Sequence, residues 1–370
     1  MTKKLSSETN LPWWKKGVIY QIYPRSFNDT SGNGIGDLKG ISKKISYLSS
    51  LGVDALWLSP IFTSPMKDMG YDVSNYTDID PLFGNILDFE KLIKKAKENK
   101  IKVIIDQVLS HSSDTHPFFK LSKSNKDNSK SDWYVWADPK PDGSPPNNWL
   151  SVFGGSAWEW DTSREQYYLH NFLKSQPDFN FHNIDVQKWL LSTVKFWLEK
   201  GVDGFRLDTA NYYFHDKKLR NNPAIKSRAS GKNPYYYQNL KYSINQKDNF
   251  AFLKKLRKLT DEYKETTMIG EISNVELQAK YTANNDKLHM AYSFDLLRDE
   301  FSPKHIRNTV SKFFKETKDG WPTWSFSNHD VVRHLSRWNK TKKDRQKFAK
   351  LTCALLMSLK GTPCIYQGEE

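Results

Sequence analysis

Four short apolar runs of the sequence end in side chains that could carry acid-base chemistry. These ends supply Asp106, the pair Arg206 and Asp208, Glu271, and Asp330. Carboxyl groups can act as nucleophiles or general acids when their surroundings set their ionisation. Retaining glycosidases use two of them about 5–5.5 Å apart. The pattern therefore predicts a site that cleaves glycosidic bonds.

The spacing of these residues suggests a role for each carboxyl group. Arg206 and Asp208 are two positions apart on a predicted strand, so they share a face. The guanidinium favours the ionised form of Asp208, which a nucleophile needs. Glu271 is predicted at the same level on the next strand, where the like charges of Asp208 and Asp330 would raise its pKa and keep it protonated as the general acid.

Two alternatives fit single members of this set. His111 and His329 could be ligands of a metal-dependent hydrolase, but the sequence has no His-x-His or His-Glu-x-x-His pairing. The charged residues could instead form buried ion pairs that cap strands. That explanation suits any one residue better than a whole set at four strand ends.

The elements that must position these residues alternate regularly along the chain. Between the first two apolar runs, Leu38, Ile41, Ile45, Leu48 and Leu51 form a helical stripe that Gly52 ends. Strand-helix alternation repeated eight times predicts an α/β fold, the parallel (β/α)₈ TIM barrel. The eight predicted strands are Val18–Ile22, Ala55–Ser59, Lys102–Val108, Gly204–Asp208, Met268–Ile272, Ala291–Leu296, Trp324–Asn328 and Pro363–Tyr366.

One gap between predicted strands is too long for a single crossover helix. We expect the barrel to be divided into residues 1–109, with strands one to three, and residues 185–370, with strands four to eight. Residues 110–184 are rich in Trp, Pro, Gly and Asn and predict an inserted subdomain after strand three. A second long segment, Asn211–Asn249, is expected to pass over the same barrel face. The eighth helix is absent after the last strand, so we expect these 370 residues alone to be poorly stable.

Composition excludes several classes of protein. Aromatic residues make up 14% of the 370 positions, which excludes a disordered chain, and no apolar run approaches the length of a membrane span. The net charge of +14 comes mostly from scattered lysines, which favours a solvated surface over a nucleic-acid site. Cys353 and Cys364 do not make a disulfide framework, so we expect a cytoplasmic protein. We also expect a monomer.

Four motifs occur in the order typical of one enzyme family: Asp106-Gln-Val-Leu-Ser-His111, Gly204-Phe-Arg-Leu-Asp208, Gly270-Glu271 and Ser327-Asn-His-Asp330. The chain resembles the α-amylase family, glycoside hydrolase family 13. Gln176-Pro-Asp-Phe-Asn180 is similar to its α-glucosidase and oligo-1,6-glucosidase branch. The resemblance implies that Asp208 is the nucleophile, Glu271 the acid/base and Asp330 the transition-state stabiliser. It implies further that the terminal glucose is held by Asp68, Tyr71, His111, Phe153, Phe172, Gln176, Arg206 and His329.

The resemblance implies an exo-acting, retaining α-glucosidase that hydrolyses short α-glucosides such as maltose and transfers some glucose. Thr209 follows the nucleophile, where the branch carries Thr or Ala with α-1,4 cleavage and Val with α-1,6 cleavage, so we expect α-1,4 preference. Alternatives are an oligo-1,6-glucosidase, a glucosyl-transferring isomerase, a non-catalytic interaction module, or an inactive truncated barrel. The family also has a C-terminal β domain, which is absent from this chain.

The loop Asp29-Thr-Ser-Gly-Asn-Gly-Ile-Gly-Asp37 places oxygen ligands at alternate positions with glycines between them, which resembles a calcium-binding loop. The family branch implies a structural Ca or Mg ion held by Asp29, Asn33, Asp37 and the carbonyl of Ile35. The alternative is a Gly-rich turn in which Asp37 caps the first helix.

Overall fold

The chain is described here by a computed structural model that covers residues 11–225, 233–341 and 343–370. Each of the eight predicted apolar runs overlaps a strand, although the seventh run shares only Trp324 with its strand. The strands are β1 (Ile19–Ile22), β2 (Ala55–Leu58), β3 (Lys102–Gln107), β4 (Gly204–Leu207), β5 (Thr267–Ile272), β6 (Met290–Ser293), β7 (Thr323–Trp324) and β8 (Thr362–Tyr366).

These strands form one parallel sheet in the order β6-β5-β4-β3-β2-β1-β8-β7. A parallel bridge between Ala291 of β6 and Pro322, just before β7, links the two ends of the sheet. The sheet is therefore a nearly closed eight-stranded barrel, and the predicted TIM barrel is confirmed. Strand seven is shorter than predicted, because the chain leaves the ladder after Trp324.

The principal helices are α1 (Leu38–Leu51), α2 (Ile86–Glu98), α3 (Ile184–Glu199), α4 (Asp248–Asp261), α5 (Val275–Thr282), α6 (Pro303–Glu316) and α7 (Arg345–Ser358). Other helices are Trp13–Lys16, Pro117–Ser124 and His334–Trp338, with 3₁₀ turns at Pro24–Ser26, Pro234–Tyr237, Ala283–Asn285 and Phe294–Leu297. Short strands outside the barrel are Phe62–Thr63, Asn75–Ile79, Trp136–Ala137, Trp158–Asp161 and Gln166–Leu169.

Helix α1 shows how the local sequence sets the element bounds. The Asp37 carboxylate accepts a hydrogen bond from the amide of Gly40 at 2.6 Å, which caps the first turn. Gly52 ends the helix in the left-handed region, with φ at +82°. The stripe is buried up to Leu48, whereas Leu51, which the spacing also placed in it, is 38% exposed.

The barrel has one apolar core inside and another outside. Alternate strand residues such as Ile19, Ala55, Ile104 and Ile269 form the inner cluster. The residues between them, such as Val103, belong to the larger outer cluster, which the helices cover. Because successive side chains alternate, residues two positions beyond the inner cluster also face the barrel axis.

The chain between β3 and α3 contains a small antiparallel sheet, in which Gln166–Leu169 lies between Trp136–Ala137 and Trp158–Asp161. An antiparallel bridge from His111 to Asp178 joins the start of this segment to its end. It is the segment for which we predict a separate subdomain, and the boundaries 110–184 stay a prediction. Residues 226–232 of the second long segment, Asn211–Asn249, lie outside the described residues.

Candidate active site

Arg206 lies at the centre of a cluster of buried carboxyl groups at the carboxyl end of the barrel. Its side chain is 1% exposed. Nη1 donates to Asp106 and to Asp208, each at 2.8 Å. Nη2 lies 2.7 Å from the Glu271 carboxylate and donates to the Tyr292 hydroxyl at 2.7 Å. One guanidinium therefore holds three carboxyl groups that come from three adjacent strands.

Strand register explains why these side chains meet. Asp106 of β3 is paired directly with Arg206 of β4. Leu207 is paired with Gly270, so Asp208 and Glu271 follow at the same level on adjacent strands. Glu271 is in turn paired with Tyr292 of β6. The predicted adjacency of Asp208 and Glu271 is thus present in the structure.

Asp208 is 5% exposed, and burial raises the pKa of its carboxyl group. The Arg206 guanidinium lowers this pKa, while the negative charges of Glu271 and Asp106 raise it again. Glu271 Oε2 accepts a hydrogen bond from the backbone amide of Thr209 at 2.9 Å and forms an ion pair with Arg206. The expectation that like charges keep Glu271 protonated stays a prediction.

Asp106 is a part of this site to which the sequence analysis gave no role, although it ends a predicted strand. Its carboxylate accepts from the Tyr71 hydroxyl at 3.0 Å and from Trp57 Nε1 at 3.2 Å, in addition to Arg206. Burial raises the pKa of Asp106 to about 6, against the lowering effect of Arg206. Asp106 therefore anchors Arg206 from below Asp208 and Glu271.

His329 joins the loop after β7 to this network. Its Nδ1 lies 2.8 Å from Gln21 Nε2, and its Nε2 lies 2.7 Å from the Tyr71 hydroxyl. The His329 and Tyr71 rings are stacked, with centroids 5.3 Å apart. Burial lowers the pKa of His329 to about 3, so the ring is neutral near pH 7. A neutral ring can accept from Gln21 and donate to Tyr71, which leaves the Tyr71 hydrogen for Asp106.

Asp330 has a more open position than the other carboxyl groups. Its side chain is 44% exposed. Asn328 Nδ2 donates to it at 2.9 Å, and His329 Nε2 is 3.4 Å away. It lies at the rim of the site, one residue after His329, and its predicted role as transition-state stabiliser stays a prediction.

The residues expected to hold glucose also meet. Gln176 Nε2 donates to the Asp68 carboxylate at 2.7 Å. The rings of His111 and Phe172 have centroids 5.2 Å apart. Phe153 contacts Phe172 edge-on at 6.0 Å and is 57% exposed, so it lies at the outer edge of the set. The segment between β3 and α3 thus supplies one wall of the site.

Gln21, Trp57 and Tyr292 were missed by sequence reasoning. Each lies on a barrel strand and is at most 2% exposed. Each contacts a residue that was predicted, or Asp106. A polar or hydrogen-bonding side chain inside a strand that is otherwise apolar is the signal that could have identified Gln21. Nothing distinguishes Trp57 and Tyr292 from core aromatics in the sequence.

The loop from Asp29 to Asp37 is held by its own amide groups. Asp29 accepts from the backbone amides of Ser31, Gly32 and Gly34, each at 2.8 Å. Asn33 Oδ1 accepts from the amide of Ile35 at 2.8 Å, and Asp37 caps α1. Over the described ranges, no group of three or more His, Cys, Asp or Glu side chains is placed to hold a metal ion. Hard oxygen donors of this kind suit Ca or Mg, but the amides already occupy them, and the cation stays a prediction.

Comparisons with known proteins agree with this geometry. Residues 21–370 match the family model described as the alpha amylase catalytic domain. The chain belongs to the α-amylase family of glycoside hydrolases. It is 54% identical to a probable alpha-glucosidase of Rhizobium meliloti, covering 98% of this chain and 68% of that protein. It is 41% identical to an oligo-1,6-glucosidase of Heyndrickxia coagulans, covering 97% of this chain and 66% of that protein.

Solved structures give the same result. The crystal structure of the alpha-glucosyl transfer enzyme XgtA is similar with a TM-score of 0.94 and 52% identity, over 97% of this chain and 69% of that one. The trehalulose synthase MutB of Pseudomonas mesoacidophila matches with a TM-score of 0.88 and 34% identity, over 97% of this chain and 66% of that one. The chain spans about two thirds of the length of these relatives. In the part of the chain that the structure describes, no helix is long and apolar enough to cross a membrane.

Proposed function

We propose that the protein is a retaining, exo-acting α-glucosidase that hydrolyses terminal α-linked glucose from short glucosides and transfers part of it. The observation that carries this proposal is the binding of Asp208 and Glu271 to the two terminal nitrogens of one guanidinium, at 2.8 and 2.7 Å. This arrangement keeps the two carboxyl groups close, as a retaining mechanism requires. The relatives named as glucosidases support the substrate class.

The mechanism has two steps. Ionised Asp208 attacks the anomeric carbon, and the glycosidic bond breaks as Glu271 gives its proton to the leaving oxygen. Glu271, now ionised, then takes a proton from water or from another sugar hydroxyl, whose oxygen displaces Asp208. Two inversions at one carbon retain the α configuration. Arg206 balances the negative charge that moves between the two carboxyl groups.

Product analysis by NMR tests this proposal. With maltose, isomaltose and sucrose as substrates, the first product is expected to be α-glucose, with oligosaccharides from transfer at high substrate concentration. Release of β-glucose as the first product would contradict the retaining mechanism. Isomers formed from sucrose as the main product would favour the second candidate, a glucosyl-transferring isomerase, which the similarity to a trehalulose synthase keeps open.

We further propose a preference for α-1,4 linkages, determined in part by Thr209. The side chain is 9% exposed and lies beside the nucleophile, where it makes that wall of the site polar. We expect Thr209→Val to change the ratio of kcat/KM for maltose to that for isomaltose by about ten- to a hundredfold towards isomaltose, because one hydroxyl-for-methyl exchange contributes roughly 1–3 kcal/mol. An isomaltose preference in the wild type, or an unchanged ratio, would assign linkage selection elsewhere.

For the loop from Asp29 to Asp37, we propose a structural Ca or Mg ion. Its two carboxylates, amide oxygen and carbonyl are the oxygen types that such cations prefer, and a bound cation would replace amide hydrogen bonds that Asp29 and Asn33 now accept. EDTA is expected to lower the melting temperature, and added Ca or Mg to restore it, while Asp29→Asn should remove the response. An unchanged melting temperature in EDTA would leave only the amide-capped turn.

Compartment and oligomeric state belong to the same proposal. Cys353 is exposed and Cys364 is buried, and both are free thiols. Free thiols are typical of a reducing compartment, so we propose the cytoplasm. We also propose a monomer, which light scattering would test.

A further inference from the structure

Five buried polar side chains form a continuous line of hydrogen-bonding contacts that ends at the proposed nucleophile. Gln176 Nε2 lies 3.1 Å from His111 Nε2, and His111 Nδ1 lies 2.9 Å from Ser110 Oγ. Ser110 Oγ lies 2.9 Å from Thr209 Oγ1, which donates to Asp208 Oδ2 at 3.3 Å. All five are at most 9% exposed, so little water competes with these contacts.

The backbone of Thr209 is unusual, and it places the hydroxyl in this line. Its φ angle is +42°, in the left-handed region, which a β-branched residue rarely adopts. The amide of Thr209 donates to Glu271 at 2.9 Å, and its carbonyl accepts from the amide of Tyr212 at 2.9 Å. Such a conformation persists only where the surroundings hold it, and residues of this kind concentrate at functional sites.

When Asp208 is ionised, only one direction of hydrogen bonding satisfies the line. Thr209 uses its single hydrogen on Asp208, so Ser110 must donate to Thr209. Ser110 then has no hydrogen left for His111, so Nδ1 of His111 must carry the proton and donate to Ser110. His111 Nε2 therefore carries no hydrogen, and it accepts a hydrogen bond from Gln176.

When Asp208 carries a proton, the line can also run in the opposite direction. Asp208 donates to Thr209, Thr209 donates to Ser110, and Ser110 donates to Nδ1 of His111. Nε2 of His111 then carries the hydrogen, and it has an acceptor in the carbonyl of Tyr71 at 3.1 Å. Gln176 Nε2 loses its acceptor on His111 in this state and keeps the Asp68 carboxylate at 2.7 Å. The proton count balances. One proton binds at His111 Nε2, one proton moves across each hydrogen bond from His111 Nδ1 through Ser110 and Thr209, and Asp208 gains one.

We propose that the tautomer of His111 and the protonation of Asp208 are coupled through Ser110 and Thr209. Ser110 is thereby a positioning residue: it sets the direction in which the Thr209 hydroxyl points, and it does not touch the reacting atoms. This inference rests on the proposed function, because it takes Asp208 as the nucleophile. It connects the wall of the glucose site, through Gln176 and His111, to the ionisation of the nucleophile.

Other charged or titratable groups face Asp208 from every neighbouring strand and loop, and they stay in place when the line is cut. They are Arg206 on β4, Asp106 on β3, Glu271 on β5, and the phenols of Tyr71, Tyr76 and Tyr213. Burial lowers the pKa of His111 to about 4, so the ring stays neutral while its tautomer changes. Differences between variants of Ser110 and Thr209 therefore report on the line itself.

The first measurement is the tautomer of His111, monitored by ¹⁵N NMR of enzyme labelled at histidine. The His111 signals are assigned because they disappear in His111→Asn. In the wild type, we expect the proton to move from Nε2 to Nδ1 as pH rises through the acid limb of kcat/KM. Ser110→Ala should abolish this change. Ser112→Ala is the matched control, since Ser112 is a buried serine of the same loop that bonds Tyr134 instead. A wild-type tautomer that does not change with pH would overturn the coupling.

The second measurement is the acid limb of the pH profile of kcat/KM. Thr209→Val removes the donor to ionised Asp208, so the limb should move up by about half a pH unit or more. Thr209→Ser keeps the hydroxyl and should keep the wild-type limb. Equal limbs in the Val and Ser variants would contradict the proposal even if Ser110→Ala does not fold. Activity retained in Asp208→Asn would instead refute the proposed function.

Discussion

Two layers of the barrel interior lie two residues apart on the same strands, yet they differ completely in chemistry. On β3, Ile104 belongs to the apolar layer and Asp106 to the charged one, and on β5 the same holds for Ile269 and Glu271. Both layers have the same backbone support. The comparison shows that the strands supply geometry in both layers, and that side-chain type separates an apolar layer from a charged one.

The charged layer has a thermodynamic cost that the apolar layer lacks. Arg206 Nε is buried without a hydrogen-bond partner in the described part of the chain. Burial raises the pKa of Asp106 and of Asp208 and so acts against their ionised forms, which the Arg206 guanidinium favours. Burying charges of this kind costs free energy even when they are paired. The same burial strengthens each electrostatic interaction that a reaction could use.

The largest effect should come from the charged layer itself. Asp208→Asn is expected to lower kcat at least about a thousandfold while glucose binding survives, because a neutral amide cannot attack the anomeric carbon. Steady-state kinetics and calorimetric titration with a glucose analogue measure the two effects. Turnover near the wild-type value would remove Asp208 from its proposed role.

Glu271→Gln should separate the two carboxyl groups of the same layer. We expect loss of about a hundredfold or more on maltose, but a much smaller loss on a glucoside with a good leaving group, because only proton donation is removed. Kinetics with maltose and with a nitrophenyl glucoside give the comparison. Equal losses on both substrates would show that Glu271 does more than donate a proton.

Asp178 lies in the segment between β3 and α3, outside both layers. The pH dependence of stability should reveal the cost of burying its carboxyl group. Burial raises the pKa of Asp178 to about 8, although Asn171 donates to it twice, and its Oδ1 has no partner among the residues that the structure describes. A raised folded-state pKa means that stability is full below the unfolded pKa near 4 and is lost as pH rises towards 8. Asp178→Asn should therefore raise the melting temperature more at pH 8 than at pH 5. An equal change at both pH values would contradict a protonated Asp178.

The smallest effect on catalysis should come from the apolar layer. Ile104→Val removes one buried methylene from β3, below Asp106. We expect a loss of about 0.5–1.5 kcal/mol in the free energy of unfolding, with kcat/KM for maltose unchanged. Denaturant unfolding and kinetics on the same preparation check both parts. If the fall in kcat/KM, expressed as a free energy, exceeded the fall in the free energy of unfolding, the two layers would not be independent.

The same comparison explains how much could be predicted from the sequence. Apolar runs predict strands because burial on both faces requires them, and all eight were found. The predicted length of strand seven was wrong, because the chain leaves the sheet after Trp324. Beyond that point, the Ser327 hydroxyl accepts a hydrogen bond from the backbone amide of His334. Side-chain hydrogen bonds of this kind leave no periodic signal.

Within the site, motif spacing placed Asp208, Arg206 and Glu271 together correctly, because neighbouring parallel strands share a level. The roles of Asp106 and Tyr292 depend on register between strands that are far apart in sequence, which spacing alone does not give. The line from His111 through Ser110 to Thr209 depends on the strained φ angle of Thr209, and no residue pattern predicts such an angle.

The most direct test of the account is to trap the covalent intermediate. A 5-fluoro-α-glucosyl fluoride slows hydrolysis of the glucosyl-enzyme, so the labelled peptide can be mapped by mass spectrometry. We predict one glucosyl group per chain, attached to Asp208, and no label in Asp208→Asn. A label on Glu271, or full inactivation with the label on any other residue, would contradict the assignment of Asp208 as the nucleophile.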